Sequence, residues 1–150
     1  MNKKILFFIL LLLVAIFYAP HNKLVAQNTS AWQPIFLQVT GGNTMDGVEA
    51  SFQLNKCNGL DVVYIKFFNH NSYPVKIEWI DAVFTKELKW VNDSKGVDRK
   101  SLTLLANTEA KGECANKLYP ALLIKMKDFI ISKKDFKRYS ASQLTVVAVQ

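Results

Sequence analysis

Two cysteines are the residues whose type and spacing are best suited to chemistry. Cys57 and Cys114 are the two cysteines of the 150-residue chain, and they lie far apart in it. An even cysteine count in a chain bound for an oxidising compartment predicts a disulfide. The alternative is a thiol-dependent copper carrier with Met45 or Met126 as further ligands, although the Cys-x-x-Cys spacing of such sites is absent. We predict a Cys57–Cys114 disulfide and expect neither a metal nor a cofactor.

Paired carboxylates are a second possible source of chemistry. Glycosidases use two carboxyl groups about 5 to 10 Å apart, one of them with a raised pKa. A small carboxylate-dependent polysaccharide hydrolase is therefore an alternative, and it predicts two acids converging in a groove. The candidate acids are Asp46, Glu49, Asp81, Glu109, Glu113, Asp128 and Asp135. Most of them sit in or beside turns rich in Lys, Asn and Gly, which is typical of solvated loop acids.

Other catalytic sets are missing from the sequence. The chain has two histidines, and His21 falls in an N-terminal apolar leader, so a zinc site built on two histidines one helical turn apart is excluded. There is no Gly-x-Ser-x-Gly elbow and no phosphate-binding Gly-rich loop. His70 lies in an Asn-rich turn, where a surface role is more common than a catalytic triad. We expect a non-catalytic protein.

A basic and aromatic stretch near the C-terminus is the candidate binding site. It consists of Lys133, Lys134, Phe136, Lys137, Arg138 and Tyr139. Such a stretch could form a positive lobe for an acidic polysaccharide, lipid head groups or a partner protein. The alternative is a solvated connection whose two rings pack on the core. Four further rings at predicted strand ends could stack on sugars or pack at the rim of the fold, namely Trp32, Tyr73, Trp90 and Tyr119.

The N-terminus has the pattern of a secretory signal peptide. Lys3 and Lys4 precede an apolar run from Ile5 to Ala19, which is shorter than the about 20 residues of a spanning helix. We predict cleavage after Ala26, a secreted or periplasmic product and no stable membrane span. Loss of residues 1–26 would lower the net charge from +7 to +4. An exported protein of modest charge is not expected to bind nucleic acid.

Apolar residues recur with period two along the rest of the chain, which predicts strands. The predicted runs are 35–40, 48–55, 62–68, 75–84, 88–90, 102–104, 122–126 and 144–148. A slip in the alternation predicts a bulge near Trp79. At most one short helix is expected, over 132–139, with Ser132 as its N-cap. These patterns predict an all-β domain over residues 35–150, an antiparallel sandwich of about seven or eight strands, preceded by a lead-in at 27–34.

The order Cys57, Trp79, Cys114 resembles that of the immunoglobulin-like β-sandwiches. The resemblance implies two antiparallel sheets packed face to face, with function carried by loops or sheet edges. The chain departs from that pattern at Gly112, where a tyrosine is expected, and at Cys57, which adjoins the Asn58-Gly59 turn. The disulfide could therefore tie loop ends together without crossing the core. A jelly roll or a small barrel is the alternative architecture.

These observations favour an exported binding or structural module of the cell envelope. Its expected partner is an envelope protein or an acidic glycan. The ligand and the oligomeric state have no signature in the sequence.

Overall fold

The fold is known from a computed structural model that describes residues 31–37, 40–92, 98–115 and 118–149. The predicted signal peptide and the first half of the lead-in, 27–30, lie outside these ranges. Ten strands are present in the described residues and form two antiparallel sheets. The strands are β1 (Gln33–Pro34), β2 (Thr44–Met45), β3 (Val48–Cys57), β4 (Leu60–Asn69), β5 (Val75–Thr85), β6 (Trp90–Asn92), β7 (Lys100–Leu104), β8 (Glu109–Lys111), β9 (Leu123–Lys125) and β10 (Phe136–Ala148). The predicted all-β class is confirmed.

The first sheet is built around the hairpin of β3 and β4. Their register runs from Val48 opposite Asn69 to Cys57 opposite Leu60. The connecting residues Asn58 and Gly59 both have positive φ, 51° and 79°, which matches the hairpin turn that an Asn-Gly pair favours. β1 and β2 pair with β3, while β8 and β9 pair with β4.

The second sheet is centred on β5, with β10 on one side and both β6 and β7 on the other. The slip of alternation predicted near Trp79 is wrong, because Ile77, Trp79 and Val83 keep one alternation along β5 and all lie in the core. The irregularity lies on the partner strand instead. Ser142 pairs with Ile80 and Thr145 pairs with Glu78, so two residues of β10 face Trp79 alone. Gln143 takes a φ of 50° in this bulge. The bulge keeps β10 in contact with β5 over their length.

The core lies between the two sheets and is supplied by alternate residues of their strands. Phe52 and Phe67 come from the first sheet, and Trp79 and Tyr139 come from the second. The rings of Phe67 and Trp79 lie 5.0 Å apart between centroids. Ile35 and Leu37 are also fully buried there, so the alternation read from the sequence places the correct residues inside.

The helix expected over 132–139 is absent, which corrects that part of the prediction. Ser132 does bond to Asp135, with its Oγ 2.5 Å from Oδ2, but these residues form a turn and β10 begins at Phe136. Strand pairing with β5 is therefore favoured over a helix that begins at Ser132. Two short 3₁₀ helices occur instead at Pro120–Leu122 and Met126–Phe129. No helix in the described ranges is long and apolar enough to cross a bilayer.

The Cys57–Cys114 disulfide is present, with an S–S distance of 2.07 Å and a Cα–Cα distance of 5.3 Å. Cys57 packs with Val62 and Tyr64 in a small cluster separate from the main core. By strand alternation this cluster lies on the outer face of the first sheet, away from Trp79. The disulfide thus ties the end of β3 to the chain after β8, as the position of Cys57 beside a turn predicts.

Candidate functional site

The predicted basic and aromatic stretch divides between surface and core. Lys133 and Lys134 are exposed in the turn before β10, and Lys137 is exposed within the strand. Phe136 and Tyr139 are buried at 6% and 0% exposure. Both rings pack in the core although they are three residues apart, because the register with β5 shifts between Phe136 and Arg138 and leaves Lys137 as an extra residue. The expectation that these two rings belong to a binding lobe is therefore corrected.

Arg138 is the residue of this stretch around which a surface site forms. Its guanidinium carbon lies 5.1 Å from the ring centroid of Phe36, 4.8 Å from that of Phe84 and 5.5 Å from that of Trp90. The rings of Phe84 and Trp90 contact each other at 4.8 Å. Cations and aromatic faces attract at such distances. We call Phe36, Phe84, Trp90 and Arg138 the aromatic–arginine cluster.

Strand register explains how residues so distant in the sequence meet. Arg138 of β10 pairs with Phe84 of β5, and Phe84 pairs with Trp90 of β6. The three side chains thus form one row across three adjacent strands on the outer face of the second sheet. Phe36 reaches the row from the segment after β1, where its carbonyl oxygen accepts a hydrogen bond from Ser140 Oγ at 3.2 Å.

The cluster combines exposed rings with an unsatisfied donor. Phe36 and Trp90 are each 40% exposed. Arg138 Nε is buried and has no hydrogen-bond partner among the described residues. Lys137 places its ammonium 5.5 Å from the centroid of Phe84. Flat apolar faces beside two cations suit a ligand that has both ring-like apolar faces and negative charge.

Sequence reasoning identified part of this cluster. Lys137 and Arg138 were expected at a binding surface, and Trp90 was among the rings at strand ends. Phe36 and Phe84 were missed. For Phe36 a signal existed, because it alternates with Ile35 and Leu37 and must point away from them. Phe84 gave no such signal, since its predicted phase placed it inside.

A second group of polar side chains is buried under the same sheet. Asp81, 4% exposed, accepts hydrogen bonds at Oδ1 from Trp79 Nε1 at 2.9 Å and from Tyr139 OH at 2.5 Å. Its Oδ2 contacts the ammonium of Lys100, which also donates to the carbonyl oxygen of Ala121 at 3.2 Å. We call Trp79, Asp81, Lys100 and Tyr139 the Asp81 network.

The Asp81 network makes stability depend on alkaline pH. Burial, followed by the negative charge of Asp81 and the hydrogen bond to it, raises the pKa of Tyr139 well above 10.0. A raised folded-state pKa means that this stabilisation is complete below pH 10.0 and is lost as the pH rises through the folded value. We expect the wild type to lose more of its melting temperature than Tyr139→Phe between neutral pH and about pH 11. Thermal unfolding followed by circular dichroism measures this, and parallel losses in the two proteins would contradict it.

The acids of the hydrolase alternative have separate surroundings in the fold, although Glu49 and Glu109 both pair with Phe68, from opposite sides of β4. Asp81 is enclosed in its network, and Glu49 bonds to His70, with 3.2 Å between Oε2 and Nε2. Glu113 forms an ion pair with Lys111, and Asp135 accepts from Ser132. Asp46 and Glu109 are exposed, and Asp128 lies in the second 3₁₀ helix. The single candidate acid that is buried thus lies in the core and lines no groove.

The copper alternative loses its proposed ligands in this fold. Both cysteine sulfurs are joined in the disulfide, and Met126 is buried in the core at 2% exposure. No group of three or more potential metal-ligating side chains occurs within the described residues.

Comparison with known proteins yields one solved structure of similar shape. It is a member of the DUF1425 family from Shewanella sp. pv-4, with 13% sequence identity and a TM-score of 0.43. The likeness is distant. The match covers 69% of this chain and 79% of that one. No protein-family model matches the chain, and no curated protein sequence matches it. At these values the likeness carries no conclusion about function.

Proposed function

We propose that the protein is an exported, non-catalytic binding module of the cell envelope, immunoglobulin-like in architecture, that binds an acidic polysaccharide through the aromatic–arginine cluster. The signal-like segment 1–26 and the Cys57–Cys114 disulfide support export to an oxidising compartment. A periplasmic or secreted location follows from the same two features.

The observation that carries the proposal is the surrounding of Arg138 by Phe36, Phe84 and Trp90 at the surface. The three rings and the guanidinium come from four separate segments. Folding alone does not require this arrangement, because exposed aromatic surface contributes nothing to the core.

An acidic polysaccharide fits the chemistry of this surface. The apolar face of a sugar ring can stack on Trp90 or Phe36, in the manner of other flat apolar groups. A carboxylate on the same sugar can accept from Arg138 or pair with Lys137. Lys133 and Lys134, in the turn that leads into β10, are exposed and extend the positive field.

The test is titration of the secreted protein with polygalacturonate, a polymer of uronic acid, followed by intrinsic tryptophan fluorescence or calorimetry. We expect Trp90→Ala to weaken binding about tenfold, because it removes the larger exposed ring. Tyr73→Ala is the matched control, since Tyr73 is 47% exposed but precedes the opposite end of β5. Its affinity should equal that of the wild type.

Added salt and a neutral polymer separate this proposal from unspecific attraction. Binding to polygalacturonate should weaken with salt, because exposed charges are screened. Neutral dextran of similar length should bind far more weakly. Absence of polygalacturonate binding by the wild type would overturn the proposed ligand. Equal losses for Trp90→Ala and Tyr73→Ala would overturn the proposed site.

A further inference from the structure

The ion pair of Lys100 and Asp81 is placed unusually for two charged side chains. It joins neighbouring strands, since Lys100 pairs with Trp79 in the ladder of β5 and β7, two residues from Asp81. The Asp81 side chain is 4% exposed and that of Lys100 is 25% exposed. Two charges removed from water in this way are costly to hold as ions. An amine and a carboxyl group held in contact at a mostly buried position are also the two reactants of an amide bond.

We propose that Lys100 Nζ and Asp81 Cγ are joined in the mature protein by an intramolecular amide bond. A proton first passes from the Lys100 ammonium to Asp81 Oδ2, giving a neutral amine and a neutral acid. Nζ then attacks Cγ, and the Cγ–Oδ2 bond breaks. Oδ2 leaves as water with two of the three protons that the ammonium carried. The step is a condensation, so nothing is oxidised or reduced and no co-reactant is needed.

The surroundings of Asp81 match what this step requires. Trp79 Nε1 and Tyr139 OH both donate to Oδ1, at 2.9 and 2.5 Å. Negative charge develops on that oxygen when the amine adds to Cγ, and preorganised donors in a dry site stabilise such a charge. The ladder of β5 and β7 holds the amine against the carboxyl group, which replaces an encounter in solution by a unimolecular step.

The hydrogen-bond partners around Asp81 and Lys100 would also satisfy the polar groups of the amide product. The new carbonyl oxygen is Oδ1, which already accepts from Trp79 and Tyr139. The amide nitrogen keeps one hydrogen, and Ala121 O lies 3.2 Å from Nζ to accept it. No donor or acceptor of the network is left without a partner, while two buried charges disappear. The neutral product therefore suits this position better than the ion pair does.

The mass of the secreted wild-type protein tests the proposal directly. We expect it to be lower than the mass calculated for the disulfide-bonded chain by one water molecule. After reduction and trypsin digestion, the segments 77–86 and 100–111 should appear as one branched peptide joined at Asp81 and Lys100. A dehydrated Asp81–Ala82 succinimide would also lose water, but it would leave the two segments separate.

Lys100→Arg is the matched control, because its guanidinium can still pair with Asp81 and donate to Ala121 but does not condense under these conditions. Its mass should show the disulfide and no loss of water. Asp81→Asn should still join to Lys100, with loss of ammonia in place of water. A wild-type protein of full mass, or one whose two segments separate after digestion, would overturn the proposal. This test is independent of polysaccharide binding.

Discussion

Replacement of Asp81 by alanine is expected to lower the free energy of unfolding by about 3 to 5 kcal/mol. The carboxylate is the common acceptor of Trp79 Nε1 and Tyr139 OH and the partner of Lys100. Its removal leaves two buried donors without an acceptor and Lys100, which is mostly buried, without its partner. Each of these carries the desolvation cost of an unsatisfied group. Urea unfolding followed by tryptophan fluorescence measures the change.

Two further variants separate the network from a general effect of losing an acid. Asp98→Ala removes an exposed carboxylate just before β7 and should change stability by less than about 0.5 kcal/mol. Lys100→Arg keeps a hydrogen-bonding partner beside Asp81 and should be destabilised less than Asp81→Ala. A loss below about 1 kcal/mol for Asp81→Ala would show that the network contributes no more than an ordinary hydrogen bond.

Loss of the disulfide is expected to cost about 4 kcal/mol, the second large effect. The bond closes a loop with a sequence separation of 57 between Cys57 and Cys114. A loop of this length greatly restricts the unfolded chain, and that restriction disappears when the bond does. The double variant Cys57→Ala, Cys114→Ala should therefore unfold at a much lower urea concentration than the wild type.

The control for this variant is the wild type with the bond chemically reduced. Because the sulfurs pack with Val62 and Tyr64 outside the main core, reduction alone should reproduce most of the loss. An unchanged unfolding midpoint after reduction would contradict the prediction.

The two large effects should add in a combined variant. The disulfide belongs to the outer face of the first sheet, whereas the Asp81 network bridges strands of the second. Sites without shared partners contribute independently to stability.

The strands were predictable because their signal is local. Alternation of Val48, Ala50 and Phe52 with polar neighbours marks a half-buried strand whatever it pairs with. The strand predicted from residue 35 onward is wrong over 35–37, which follow β1 and belong to no strand. The Asn58-Gly59 turn likewise specifies its hairpin through backbone preferences. The disulfide was predictable from the number of cysteines, and its place at a loop end from the turn beside Cys57.

The start of β10 was not predictable in the same way. The backbone N–H groups of Asp135 and Phe136 donate to the carbonyl oxygen of Ser132, as at a helix start, but the residues after them pair with β5. The bulge at Gln143 shows the same dependence on a partner, since β5 keeps its alternation past Trp79 and the extra residue sits on β10. Local helix propensity is overridden where the same residues can extend a long strand that pairs with a neighbouring strand.

The sequence by itself determined the all-β class, the alternating core and the cysteine pair, because each depends on periodicity or composition. Tertiary structure alone decided that Phe36, Phe84 and Trp90 surround Arg138, and that Trp79, Lys100 and Tyr139 converge on Asp81. Both groups draw residues from strands far apart in the chain. Their meeting depends on strand order and register, which no local pattern specifies.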